Sequence, residues 1–244
     1  MNEIPSVDLR DFLSDDKNVK KQFINDIGKA YEEIGFVALK GHFLDDELID
    51  HLYQQIKSFF SLPIEKKQKY EVPGIGGQRG YISFGKESAK GRKEGDLKEF
   101  WHFGQYVDAN DKLAQEYPKN VMVDELPDFN TVGKETYEML EKTAKYVLRA
   151  LALHLDLEET YFDEFIYKGN SILRPIHYPP ILNEPNDAVR AAAHGDINLI
   201  TLLMGAQGRG LQVQNNAGDW LDAIADPDEL MINVGDMLSR HTNN

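Results

Sequence analysis

With 244 residues, 41% of them hydrophobic, the chain is long enough for one sizeable core, or for one core with a smaller helical region. It has no cysteine, which excludes disulfides and thiolate metal sites and leaves His, Asp and Glu as metal donors. The net charge of −14 comes without clustered Lys and Arg, so no nucleic-acid partner is expected; with no apolar run of about eighteen residues and no signal-like start, a cytoplasmic chain is expected.

The opening Ile4-Pro5-Ser6-Val7-Asp8-Leu9 reads as a short extended entry. Val19, Phe23, Ile27, Tyr31 and Ile34 recur at three- and four-residue steps, which predicts an amphipathic helix from Asn18 to Ile34, stopped by Gly35. Phe36 to Leu39 follows as a buried strand. A second helix, about Asp45 to Phe60, carries Leu48, Leu52, Ile56 and Phe59 on one face, and Pro63 ends it or opens the next turn. Glycines at 74, 76, 77, 80, 85, 91, 95 and 104 predict a long irregular segment between Gly74 and Gly104. Its aromatic residues, Phe100 to Phe103 among them, are expected to pack in a core in preference to walling a pocket.

The strongest helical period runs from Thr131 to Leu155, on Leu140, Ala144, Val147, Leu148, Leu151 and Leu155. The pattern then changes. Ser171 to Tyr178 reads as a strand that breaks at Pro179-Pro180. Further short runs follow at Ile197 to Met204, Leu211 to Gln214, Trp220 to Ile224 and Leu230 to Val234, separated by Gly, Asn and Asp clusters such as Asn215 to Asp219. Short strands at such spacing predict a sandwich or barrel. The reading is helices first, then an all-β half, with no internal repeat.

The stretch richest in chemistry is Ala193-His194-Gly195-Asp196-Ile197-Asn198-Leu199-Ile200-Thr201. If His194 and Asp196 open a strand, alternation puts both on one face, where an imidazole and a carboxylate supply two of the three donors of a two-histidine, one-carboxylate iron site. The local alternative is a surface turn whose aspartate caps a backbone N–H.

Several marks, in order along nearly the whole chain, resemble the isopenicillin N synthase-like family of iron(II)- and 2-oxoglutarate-dependent oxygenases. They are the entry Ile4 to Leu9, Glu33-Ile34-Gly35-Phe36-Val37 to His42, Phe59 to Lys67, Gly80-Tyr81 and Asp96 to Phe100. His177-Tyr178-Pro179-Pro180, Gly210-Leu211-Gln212-Val213, Gly218-Asp219-Trp220 and Asn233-Val234-Gly235-Asp236 complete the series. The resemblance implies an α+β fold, N-terminal helices packed on a double-stranded β-helix (jelly roll) with its last strands missing. It divides the chain into an N-terminal region 1–115, a long helix and connection 116–165, and an oxygenase domain 166–244.

The same resemblance implies Fe(II), 2-oxoglutarate and O2 as cofactor and cosubstrates, a small-molecule substrate, and release of succinate and CO2. The ethylene- and succinate-forming type is a near neighbour. It makes His194 and Asp196 metal ligands and matches Tyr178 to the tyrosine whose hydroxyl reaches a cosubstrate or substrate carboxylate. Arg174, four residues earlier, is a weaker candidate for that carboxylate, since an arginine so placed more often makes a structural ion pair. His177 alternates away from Tyr178, and His42, His51, His102 and His154 read as ordinary histidines.

The pattern departs from the family after Asp236. A distal histidine about fifteen residues on, then an Arg-x-Ser that grips 2-oxoglutarate, have no counterpart in the eight residues that follow. His241 is the only later histidine, a poor substitute because its gap from His194 is too short. The expectation is a shortened oxygenase with a sheet edge left open. Its rivals are a non-catalytic remnant and a cupin-like protein, against which the N-terminal helices count.

Overall fold

The computed structural model describes residues 3–87, 95–181, 190–205, 210–215 and 217–242. The first half contains β1 (Ser6–Asp8), α1 (Leu9–Phe12), α2 (Lys17–Glu33), β2 (Phe36–Lys40), α3 (Asp46–Phe60), α4 (Ile64–Lys67), β3 (Gly80–Ile82) and β4 (Glu99–Gly104). The second contains α5 (Pro127–His154), α6 (Asp163–Ile166), β5 (Ile172–Leu173), β6 (Ile176–His177), β7 (Ile200–Leu203), β8 (Gln212–Gln214), β9 (Trp220–Asp222), β10 (Leu230–Val234) and α7 (Asp236–His241). The chain is α+β, as expected. It forms two compact units, each assembled from separate stretches of sequence: Met1–Asp46, Met139–Tyr167 and Gly195–Asn244 in one, Glu47–Glu138 and Lys168–His194 in the other.

In the first unit a four-stranded sheet runs β1-β2-β10-β7. β2 pairs parallel with β1 and antiparallel with β10, and this central place explains why Val37, Ala38 and Leu39 are all buried rather than alternating. Asp16 caps α2 by accepting from the Asn18 amide at 2.8 Å. Gly35, at φ +77°, ends that helix: its amide donates to Ala30 O and the chain turns directly into β2. β8 and β9 form a separate hairpin closed through Asn215, whose side-chain oxygen accepts from the amides of Ala217 and Asp219.

The second unit centres on β4, flanked by β3 on one side and by β5 and β6 on the other. All six of its residues are buried. Trp101 and Phe103 join Phe59, Phe60, Tyr70, Tyr81, Val123 and Phe129 in one aromatic cluster. Phe59 stacks on Phe129 at 5.0 Å and meets Trp101 edge-on at 4.9 Å. Gly133 is glycine because a Cβ there would stand 2.3 Å from the Phe103 ring.

The sheets correct the sequence reading in three places. The stretch from Gly74 to Gly104 is not wholly irregular but holds β3 and β4, so strands already occur in the first half. Ser171 to Tyr178 is not one strand: Pro175 has no amide to give a ladder, and the pairing splits into β5 and β6 around it, with Trp101 N bonded to Pro175 O at 3.0 Å. α5 starts four residues earlier than its apolar period, with Pro127 at the first helical position.

Candidate metal centre

His194 and Asp196 do not open a strand. The residues from Arg190 to Leu199 have no strand pairing, and β7 begins at Ile200. Neighbouring backbone takes up this stretch instead. Asp236 N donates to Asp196 O at 2.7 Å, Gly235 N to Leu199 O at 2.9 Å and Met237 N to Asn198 O at 3.1 Å. That approach explains Gly235, where a Cβ would lie 2.1 Å from the Asn198 carbonyl oxygen.

The Asp196 side chain is held as firmly. Its Oδ2 accepts from Thr201 Oγ1 at 2.5 Å and from Asn233 Nδ2 at 3.0 Å. Thr201 and Asn233 are direct cross-strand partners of β7 and β10, so they share a face. Asn198 Nδ2 donates in turn to Thr201 Oγ1 at 2.9 Å. The sequence reading missed all three residues. Asn233 stood within a motif noted only as a family mark, and Thr201 lay in the apolar run after Asp196.

His194 is exposed, and its Nδ1 lies 2.7 Å from Ala192 O. A carbonyl only accepts, so Nδ1 donates to it, and a metal would be taken through Nε2. One imidazole nitrogen and one carboxylate suit ferrous ion by type. In number they fall short: among the described residues no three His, Asp or Glu side chains gather to hold a metal. His241 does not fill the gap. Its Nε2 lies 3.0 Å from the Tyr161 hydroxyl, and its ring contacts Tyr161, Phe162 and Phe165.

Tyr178 is half-buried, directly after β6. Arg174 lies with its guanidinium 4.7 Å from the Phe100 ring centroid, donates to His102 Nε2 at 2.6 Å and pairs with Glu87 at 3.4 Å. His102 is buried, with Nδ1 2.6 Å from Gly77 O. Burial first, and the Arg174 charge second, push its pKa down to about 3, so it stays neutral.

His177 Nδ1 stands 2.7 Å from Glu99 Oε1, and its ring stacks on Phe60 at 5.2 Å. Glu99 also accepts from Lys67 Nζ at 2.8 Å and from the Tyr81 hydroxyl. Burial would raise that carboxyl, but these donors outweigh it and hold it below the ordinary glutamate range. His51 lies beside Gln55, and His154 pairs with Glu32 at 2.9 Å.

Residues 4–125 match the family described as non-haem dioxygenase in morphine synthesis N-terminal, and residues 169–244 match the 2OG-Fe(II) oxygenase superfamily. A 2-oxoglutarate-Fe(II) type oxidoreductase of Aspergillus fumigatus is 30% identical over 254 residues, spanning 98% of this chain and 74% of that protein. The crystal structure of a 2OG-Fe(II) oxygenase family protein from Caulobacter crescentus superposes with a TM-score of 0.88 at 41% identity, over all of this chain and 77% of that one. A full-length Neurospora crassa protein crystallised in complex with alpha-KG and thymine gives a TM-score of 0.81 at 27% identity, over 97% of this chain and 75% of that one. The chain belongs to the 2-oxoglutarate- and iron(II)-dependent oxygenases. The family's reaction is oxidation with Fe(II) as cofactor and 2-oxoglutarate and O2 as cosubstrates.

Proposed function

We propose that His194, through Nε2, and Asp196 hold the iron of a small-molecule oxygenase. The observation that carries this reading is the pair's preparation: an imidazole whose Nδ1 donates to Ala192 O, and a carboxylate fixed by two side-chain donors on one oxygen. Bound iron(II) supplies the oxidising chemistry, in which 2-oxoglutarate and oxygen are consumed and succinate and carbon dioxide are released. The protein contributes orientation of the bound groups. In this reading Tyr178 offers its hydroxyl to a carboxylate of cosubstrate or substrate. Arg174 already donates to His102 and pairs with Glu87, which keeps it the weaker candidate for that carboxylate. A small substrate is supported by the thymine bound in the Neurospora relative.

Incubation of the full chain with iron(II), 2-oxoglutarate and candidate small molecules, with succinate as the product measured, tests the proposal. Iron-dependent succinate that disappears in His194→Ala and Asp196→Ala is the expected result. Metal binding without succinate would favour the non-catalytic reading, and succinate formation indifferent to both substitutions would overturn the assignment.

A further inference from the structure

Tyr178 stands in a segment that backbone bonding alone holds weakly. Between residues 175 and 180, Pro175, Pro179 and Pro180 have no amide to donate, and β6 is only two residues long. Among the described residues the Tyr178 hydroxyl has no hydrogen-bond partner. The side chain that ties the segment down belongs to the residue before it. His177 and Glu99 are direct cross-strand partners on β6 and β4, so their side chains share a face. A carboxylate only accepts, so His177 Nδ1 donates to Glu99 Oε1.

Glu99 is itself held without slack. Lys67 Nζ donates to its two oxygens at 2.9 and 2.8 Å, and Tyr81 donates to Oε2. Lys67 also donates to the carbonyl of Phe60 at 3.2 Å, the residue whose ring stacks on the His177 imidazole. Lys67, Tyr81 and Glu99 are buried, whereas 39% of the His177 side chain is exposed. Desolvation offsets much of the attraction within a buried ion pair, so stability accounts poorly for this arrangement and geometry accounts for it better.

We propose that Glu99 and His177 are positioning residues, and that the bond between them sets the place of the Tyr178 hydroxyl and with it the affinity for 2-oxoglutarate. This rests on the reading of Tyr178 as a carboxylate partner. Both residues act through Tyr178, by way of the backbone that joins it to His177.

Anaerobic calorimetric titration of the full chain with 2-oxoglutarate, with iron(II) present, tests this. The variants are Tyr178→Phe, His177→Ala, His177→Asn and the double variant of His177→Ala with Tyr178→Phe. Tyr178→Phe removes one hydrogen bond to a charged group and is expected to weaken binding about 10- to 100-fold. His177→Ala should weaken it by about tenfold, whereas His177→Asn, whose amide can donate to Glu99, should stay within about threefold of the unsubstituted chain. The double variant should bind no more weakly than Tyr178→Phe, because nothing is left to position. Should His177→Ala fail to fold, His177→Phe, which keeps an aromatic ring against Phe60 and removes the donor, takes its place. Losses that multiply in the double variant would overturn the positioning role. So would a His177→Ala chain that melts at lower temperature yet binds 2-oxoglutarate as tightly as before; in both cases a weakened Tyr178→Phe leaves the Tyr178 reading standing. If Tyr178→Phe binds like the unsubstituted chain, or the unsubstituted chain takes up no 2-oxoglutarate, that reading falls and this inference with it.

Discussion

β4 and β7 are both short strands of the same chain, and they are held in opposite ways. β4 is flanked on both sides and buried at all six residues, against a cluster of stacked and edge-on aromatic rings. Among the described residues β7 stands at the end of its sheet, and its four residues are only half-buried. What fixes the stretch just before β7 is polar: three backbone bonds from residues 235–237 and two side-chain donors on Asp196. The aromatic strand provides stability, whereas the segment near β7 provides a firmly oriented carboxylate with little apolar area buried. Candidate chemistry lies where packing is thin and hydrogen bonding is dense.

Truncations in the two regions should therefore have unequal effects. Phe59→Ala removes a fully buried ring from the middle of the aromatic cluster and should cost about 3–5 kcal/mol in denaturant unfolding. Leu202→Ala on β7 should cost only about 1 kcal/mol, because a half-buried leucine gains roughly half the transfer energy. Equal losses would break the contrast. Gly235→Ala is expected to fall between them, at about 1–3 kcal/mol, as the added Cβ forces the Asn198 carbonyl away. It should also weaken metal uptake, which Leu202→Ala should not.

A third test uses pH. His102 on β4 is neutral in the fold, with its pKa pushed down to about 3, whereas an unfolded histidine titrates near its ordinary value of about 6.5. Between these values the unfolded chain binds the extra proton. Stability is therefore present above about 6.5 and falls as pH drops towards 3, by up to about 1.4 kcal/mol per unit from this residue. His102→Asn should flatten that part of the stability–pH curve; an unchanged slope would contradict the assignment. The smallest effect belongs to the exposed Lys134–Glu138 pair on α5: Lys134→Ala should change stability by no more than about 0.5 kcal/mol.

How much of this was legible in sequence follows from the same contrast. α2, α3 and α5 declare themselves because their apolar residues repeat over four or more turns. β4 does not, since a strand buried on both faces loses its alternation and its neighbours are rich in glycine. Glu99 stood only within a family mark, because its partners Lys67, Tyr81 and His177 lie 32, 18 and 78 positions away. Spacing and family resemblance single out His194 and Asp196 as candidates, yet the strand expected to carry them is replaced by backbone bonding to residues 235–237. Thr201 and Asn233 become visible only with the register of β7 and β10, a tertiary fact that no local pattern encodes.

The most direct test of the iron assignment is anaerobic iron(II) titration of the full chain, followed calorimetrically, beside His194→Ala and Asp196→Ala. One ion per chain is expected, with uptake lost in both variants, while metal-free His194→Ala, at an exposed position, melts near the unsubstituted protein. Iron uptake that persists undiminished in both variants would contradict it.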